Sequence, residues 1–194
     1  MEPDEGLIPP LSERWSPRIF SSRPVDAGKV ARFLQAARWA PSSFNEQPWR
    51  FLLTRKGEEA FDALSGTMSE NNRTWASRAP LLILSAARLR FSHNERENRH
   101  ALHDVGLAVE NLVIQAVSDG LQVHQMAGFN GERARKIFGI PEDFQPVAVI
   151  AIGYEGDEGE APEGLSERDR DARTRKPLDE IVFSGEWGEP FDLS

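Results

Sequence analysis

The sequence predicts a mixed α+β domain, and three observations carry that prediction. Apolar residues recur at helical spacing in two long segments, one before residue 40 and one after residue 98. Two short continuous apolar runs, APLLILSAA and PVAVIAIGY, read as buried strands. Helix and strand segments alternate as α–β–α–β–α–β–α–β, with no internal repeat. The chain has 194 residues. That is enough for one sizeable core, so a single domain over residues 1–194 is expected.

Residues 1–11 read as a loose arm. The first helix follows Asp26, a ready N-cap, and places Val30, Phe33, Leu34 and Ala37 on one apolar face. Pro41 stops it. WRFLLT is a short strand and GEEAFDALSGTM a second helix. APLLILSAA, residues 79–87, is the next strand. From about Asn98 to Asp119 the pattern is helical and apolar nearly all round, which places this helix at the centre of the core. Gly120 supplies its C-terminal cap. LQVHQM is a strand, Asn130 caps a short helix GERARKIFG, and PVAVIAIGY closes the sheet.

Residues 155–172 have no apolar periodicity and read as an exposed linker. The arm beyond it, residues 173–194, carries Leu178, Ile181, Val182, Phe183, Trp187 and Phe191 in a charged background. Too few apolar residues surround them to form a local core, so the arm should dock on a surface, its own or a partner's.

The net charge of −8 is unevenly spread. Residues 1–154 hold 18 basic and 18 acidic side chains; residues 155–194 hold 5 and 13. Within residues 14–40, six basic groups face one acid, Asp26. Such a local cationic segment suits a small anion such as phosphate, not nucleic acid, which would call for a basic domain. There is no cysteine, which excludes disulfides, thiolate nucleophiles and cysteine-ligated metals. No apolar run approaches the roughly 20 residues that cross a bilayer. The acidic start, MEPDEGLIPP, lacks the basic and apolar regions of a signal peptide, so a cytoplasmic location is expected.

Four stretches carry candidate chemistry. In RWSPRIF, Arg14, Ser16 and Arg18 alternate, so an extended backbone sets two guanidiniums and a hydroxyl on one side. The segment is either an oxyanion cradle or a surface cluster of ion pairs. In APSSFNEQPWRF, Ser42, Ser43, Asn45 and Gln47 both donate and accept, which suits a planar ligand edge. Gln47 precedes a proline and is expected to be extended. The alternative is a tight loop whose polar groups satisfy their own backbone.

MAGFNG offers peptide N–H groups at a strand-to-helix turn, where Gly128 allows close backbone approach. HALHD sets His100, His103 and Asp104 near Glu97, a conceivable metal cluster that lacks the zinc-protease pattern; a polar helix end is the simpler reading and no metal is expected. No nucleophile elbow, P-loop or G-x-G-x-x-G turn is present. Residues 66–76 and 88–98 lack apolar periodicity and are candidate lid segments.

Taken together, the stretches resemble the nitroreductase family of flavin enzymes. RWSPRIF resembles its R-x-S-x-R-x-F element, ARWAPSSFNEQPWRF its P-S-S-x-N-x-Q-P-W loop, HDVGLAVENLVIQAVSDGLQVHQMAGF its central helix and strand, and RTRKPLDEIVF its C-terminal element. The order and spacing of these motifs, over about residues 12–188, make the resemblance specific. It implies a central, mostly antiparallel sheet flanked by helices. It also implies a homodimer with FMN at the interface and a domain-swapped C-terminal arm.

By position, Arg14, Ser16 and Arg18 would hold the FMN phosphate and pyrimidine edge, with Trp15 on the same stretch. Arg173 and Arg175 would reach the phosphate, and Asn72, or else Asn71, would face the pyrimidine ring. Pro41, Ser42, Ser43 and Asn45 would come from the other subunit, with Gln47 nearby. Met126, Ala127 and Gly128 would line the N5 side; Ala127 stands where many relatives carry an acid.

The implied activity is hydride transfer from NADH or NADPH to a small planar acceptor, a nitroaromatic or quinone, by a ping-pong mechanism. No side-chain acid or base is then essential, because the cofactor carries the chemistry. A same-fold dehydrogenase or reductive dehalogenase, or a non-catalytic FMN-binding protein, are the alternatives. The expected partners are a second copy and a small acceptor, with neither nucleic acid nor membrane.

Overall fold

Four antiparallel strands form one sheet in the order β1-β2-β4-β3. The strands are β1 (Trp49–Arg55), β2 (Leu81–Arg88), β3 (Gln122–Met126) and β4 (Phe144–Gly153). Among the described residues six α-helices accompany them: α1 (Pro9–Glu13), α2 (Ala27–Arg38), α3 (Glu59–Ser65), α4 (Glu70–Ala76), α5 (Ala101–Ser118) and α6 (Gly131–Phe138). This computed structural model describes residues 6–157, 159, 161, 165 and 174–192.

Both faces of the sheet are covered, which explains why β2 reads as an unbroken apolar run. The two-residue period sorts its side chains. Leu81, Ile83, Ile150, Ile152 and Val123 point to one side and pack with Phe33 of α2 and with Val105, Leu112 and Val113 of α5. Leu82, Leu84, Val149, Ala151 and Met126 point to the other and pack with Phe61, Leu64, Met68 and Trp75 of the α3–α4 region. Each fully buried Leu, Ile or Phe contributes about 1.5–3 kcal/mol, so the two layers jointly fix the sheet.

Helix ends follow the expected chemistry. Asp26 accepts from Gly28 N–H at 2.7 Å, and Asn130 Oδ1 accepts from Arg133 N–H at 2.8 Å. After α5, Gly120 adopts φ +76°, with Leu121 N–H bonded to Ala116 C=O and Gly120 N–H to Val117 C=O, a Schellman closure. Pairing of α2 with α5 is fastened at the same end, where Arg32 meets Asp119 at 3.1 Å and Lys29 Nζ donates to Asp119 C=O.

Two helices depart from the expected order. Pro9–Glu13, inside or beside the expected loose arm, is a short helix started by prolines at its first positions and packed on α5. Helix α4 was not expected, because only Trp75 and Ala76 of its seven residues are apolar and buried. Its start is nonetheless encoded: Ser69 caps it by accepting from Asn72 N–H.

Most of segment 155–172, and Arg173, lie outside the described residues. In the arm, Phe183 pairs with Pro190 and its ring lies 5.2 Å from Trp187. Leu178, Ile181, Trp187 and Phe191 remain exposed, Trp187 at 93%. Among the described residues, no helix is long and apolar enough to cross a membrane.

Candidate functional site

The C-terminal end of β3 gathers the first group of candidate residues. Residues 67–69 run beside residues 128–130: Met68 bridges Phe129, Ser69 N–H donates to Gly128 C=O at 2.8 Å, and Asn130 N–H to Thr67 C=O at 2.8 Å. This pairing brings the start of α4 to the β3–α6 turn. Asn72 Nδ2 then donates to the same Gly128 carbonyl at 3.1 Å. Asn71 is exposed and only its carbonyl is engaged, by Thr74 Oγ1, so Asn72 is the asparagine at this turn.

A Cβ at residue 128 would lie 2.6 Å from Asn72 Nδ2 and 3.1 Å from Ser69 Oγ. The lack of a side chain at Gly128 is therefore required by Asn72. Ala127 and Gly128 are exposed, whereas Met126 is buried in the core. Beside this turn opens a cavity of about 820 Å³, lined by Thr67, Ser69, Ala127, Gly128, Asn130 and Arg133 among others.

The RWSPRIF segment lies against the same strand. Pro17 C=O is 2.8 Å from His124 Nδ1 of β3, and His124 in turn packs on Trp75 at 4.4 Å. Further on, Phe20 bridges Glu155, and Ser21 N–H donates to Tyr154 C=O. Arg14, Trp15 and Arg18 are half-buried and Ser16 is exposed. Other members of the cationic segment have structural duties: Arg32 pairs with Asp119, and Arg23 lies 4.1 Å over the Tyr154 ring. The Arg32 pKa is raised above its ordinary value by the hydrogen bond to Asp119. Arg175 is exposed and bonds the Thr174 carbonyl.

The loop after α2 forms a second group. Pro41 is exposed at its start, and Ser43–Asn45 make a single 3₁₀ turn. Ser42 Oγ accepts from Gln47 N–H at 2.9 Å, and Gln47 Nε2 donates to Asn45 C=O and Oδ1. The self-satisfying reading thus accounts for part of the loop. Among the described residues, the Ser43 hydroxyl and the Asn45 Nδ2 make no hydrogen bond. Gln47 is not extended: its φ is +52°, because the Ser42 hydroxyl captures its N–H while the following proline disfavours the right-handed helical region.

Two acids hold this loop, and neither was singled out for that role in the sequence. Asp104, 3% exposed, accepts from Ser43 N–H at 3.0 Å and meets His103 Nδ1 at 3.2 Å. The HALHD element is therefore an anchor for the loop. Among the described residues, no group of three or more His, Asp or Glu side chains is arranged to hold a metal ion. Glu46 accepts from Ser92 N–H and Oγ at 2.9 and 3.1 Å. Those bonds tie the loop to residues 88–98. Arg88, beside Glu46, has its pKa raised by its hydrogen bond to Asp143.

The structure thus brings Asn72 to Gly128 and places the Arg14–Arg18 segment on the adjoining strand. Among the described residues, no hydrogen bond links the Ser42–Gln47 loop to Asn72 or Gly128.

An antiparallel sheet covered on both sides, with a capped turn after β3 and a tethered loop after α2, defines a nitroreductase-type α+β protein. The Nitroreductase family model matches residues 11–71 and 55–154. The chain belongs to the nitroreductase family of oxidoreductases. A crystal structure described as an oxidoreductase containing FMN superposes with a TM-score of 0.87 at 32% identity, covering 93% of this chain and 92% of that one. An uncharacterized 15.4 kDa protein of Mycolicibacterium smegmatis is 40% identical over 149 residues, 73% of this chain and 99% of its own length. A protein of Archaeoglobus fulgidus, whose name pairs NADH dehydrogenase with NAD(P)H nitroreductase, is 29% identical over 164 residues. That match covers 79% of this chain and 88% of the relative.

Proposed function

We propose that this chain is an FMN-dependent oxidoreductase that passes hydride from NADH or NADPH to a small planar acceptor, such as a quinone or nitroaromatic, by a ping-pong mechanism. The observation that carries the reading is the convergence at β3: the Asn72 amide at the Gly128 carbonyl, beside the strand that holds the Arg14–Arg18 segment. The similarity to an FMN-containing oxidoreductase supports it.

The donor set fits the cofactor. FMN carries a phosphate dianion and a pyrimidine edge of alternating donors and acceptors, and when bound it supplies a hydride-accepting ring atom. Arg14, Arg18, Arg173 and Arg175 would hold the phosphate and stabilise negative charge on the pyrimidine end. Ser16 and Asn72 are neutral groups suited to orienting the ring edge. The exposed backbone at Ala127 and Gly128 would let the ring approach closely. No acid or base is required of the protein, whose task is binding, orientation and electrostatics.

The functional unit is a homodimer in which Ser42, Ser43 and Asn45 serve the neighbouring subunit's cofactor. The Asn45 Nδ2 and Ser43 hydroxyl are then the groups available for it, and the apolar arm wraps the partner. Anaerobic titration of the FMN-loaded protein with NADH and NADPH tests the reading. Bleaching of the flavin band, reversed by a quinone, is the expected result; failure of the purified chain to bind FMN overturns it.

A further inference from the structure

We propose that Phe44, Phe91 and His93 form the platform on which the planar acceptor stacks; this rests on the flavin-oxidoreductase reading above. The starting observation is an expense without a local return. Phe44 is 83% exposed and its backbone sits at φ +54°, ψ +23°. A left-handed conformation costs a non-glycine residue about 1–2 kcal/mol, and holding a benzyl ring in water gains nothing for folding. Among the described residues, four non-glycine residues have positive φ: Phe44, Asn45, Gln47 and Glu95. Three lie in this loop and the fourth in the facing hairpin. Strain concentrated in this way marks a place where shape serves a ligand.

Two other rings complete the surface. The Phe91 ring lies 5.7 Å from Phe44 at an interplanar angle of 86°. The His93 ring is 5.3 Å from Phe91 and 6.0 Å from Phe44. In an edge-to-face pair, the ring offering its edge keeps both faces free and the other keeps one. The trio therefore presents aromatic faces outward instead of burying them against each other.

The platform is held from beneath. The Glu46 side chain, 5% exposed, fastens Ser92 through two hydrogen bonds and lies 3.9 Å from His93 Nδ1. Asn94 Oδ1 accepts from Arg96 N–H at 2.9 Å, which fixes the amide with its NH₂ toward His93 Nε2 at 3.0 Å. The ring is thus contacted at Nε2 by Asn94 and at Nδ1 by Glu46. These contacts hold the His93 ring in an orientation suited to stacking. Phe44 itself stands between Ser43 and Asn45, the two residues expected at the cofactor, so the platform borders the reacting centre. A flat π-system matches this surface; a compact, non-planar acceptor gains nothing from it.

The test uses FMN-loaded, oxidised protein titrated with 2-methyl-1,4-naphthoquinone. The quinone does not react with oxidised flavin, and the chain has no cysteine for it to alkylate. Upfield ring-current shifts of the His93 protons, assigned through His93→Gln, are the expected direct signal. Phe44→Gly suits the φ +54° backbone and so keeps the loop folded. It and Phe91→Ala should each weaken naphthoquinone binding about tenfold. Phe44→Leu, which keeps bulk without the π-face, should fall between.

With dithionite-reduced protein, the ratio of naphthoquinone to ferricyanide reoxidation rates should fall by a similar factor in the glycine variant. Equal losses for both oxidants, or naphthoquinone binding unchanged by Phe44→Gly, overturn the platform while leaving the cofactor reading intact. So does a finding that Phe44→Gly dissociates the dimer without changing quinone affinity, which would make the ring an interface contact. A chain that never takes up FMN overturns both readings.

Discussion

The carboxylate of Asp104, buried in α5, accepts the backbone N–H of Ser43 at 3.0 Å. This one bond joins the central helix to the loop that carries Ser42, Ser43, Asn45 and Gln47. A hydrogen bond to a charged acceptor is worth about 1.5–3 kcal/mol, and removing the acceptor also leaves a half-buried N–H unmet. Asp104→Ala should therefore lower unfolding stability by about 2–3 kcal/mol. Asp104→Asn keeps an oxygen acceptor and should lose about half as much. Urea denaturation of the two variants checks the order. If the loop serves the cofactor, FMN affinity falls in the same order, measured by fluorescence titration.

Gly128 and Asn72 form a second coupled pair. A methyl group at 128 would lie 2.6 Å from Asn72 Nδ2, so Gly128→Ala must displace the amide that bonds the Gly128 carbonyl. The expected cost is about 1–2 kcal/mol of stability, with weaker FMN binding. Asn72→Ala removes the obstacle. The double variant should then be no worse than Asn72→Ala alone, a clear departure from additivity. Additive losses in FMN titration would show that the two residues act separately.

The phosphate assignment makes a sharper demand. Arg14 and Arg175 lie far apart in the chain, yet both are assigned to one dianion. Each replacement by alanine should weaken FMN binding about tenfold, and the double replacement about a hundredfold. The affinity of the double variant should also depend less on salt, because fewer charge contacts remain to be screened. Equilibrium dialysis of FMN at two ionic strengths reads both effects. Full flavin retention in the double variant counts against the assignment.

Much of this fold is legible in the sequence because local signals and burial agree. Asp26, Asn130 and Gly120 mark helix ends, and the continuous runs of β2 and β4 announce strands covered on both faces. Helix α4 is illegible because its face contributes only Trp75 and Ala76 to the core; it is held by tertiary contact, with Ser69 bonded to Gly128. The conformation of Gln47 is set by the Ser42 hydroxyl five residues back, which no pairwise proline preference can foresee.

The same limit applies at the site. Glu46 meets Ser92 across 46 residues and Asp104 meets Ser43 across 61, so the acids that shape the loop carry no local signature. The arginines and the P-S-S-x-N-x-Q-P-W loop are visible because their spacing is short.

The arm supplies the last prediction. Trp187 is 93% exposed and, with Leu178, Ile181 and Phe191, forms an apolar surface that a single chain leaves in water. Truncating an exposed side chain changes the stability of an isolated chain by no more than about 0.5 kcal/mol. An interface tryptophan commonly contributes about 2 kcal/mol or more, roughly thirtyfold in a dissociation constant. If the arm wraps a partner as proposed, Trp187→Ala should therefore leave urea unfolding of the monomer unchanged while raising the dimer dissociation constant about thirtyfold. Sedimentation equilibrium measures the second quantity directly. Because Ser43 and Asn45 are assigned to the neighbouring subunit's FMN, flavin should be lost on dilution at a higher protein concentration in the variant than in the native chain. A variant that dissociates yet keeps its flavin as a monomer would place the whole cofactor site within one chain.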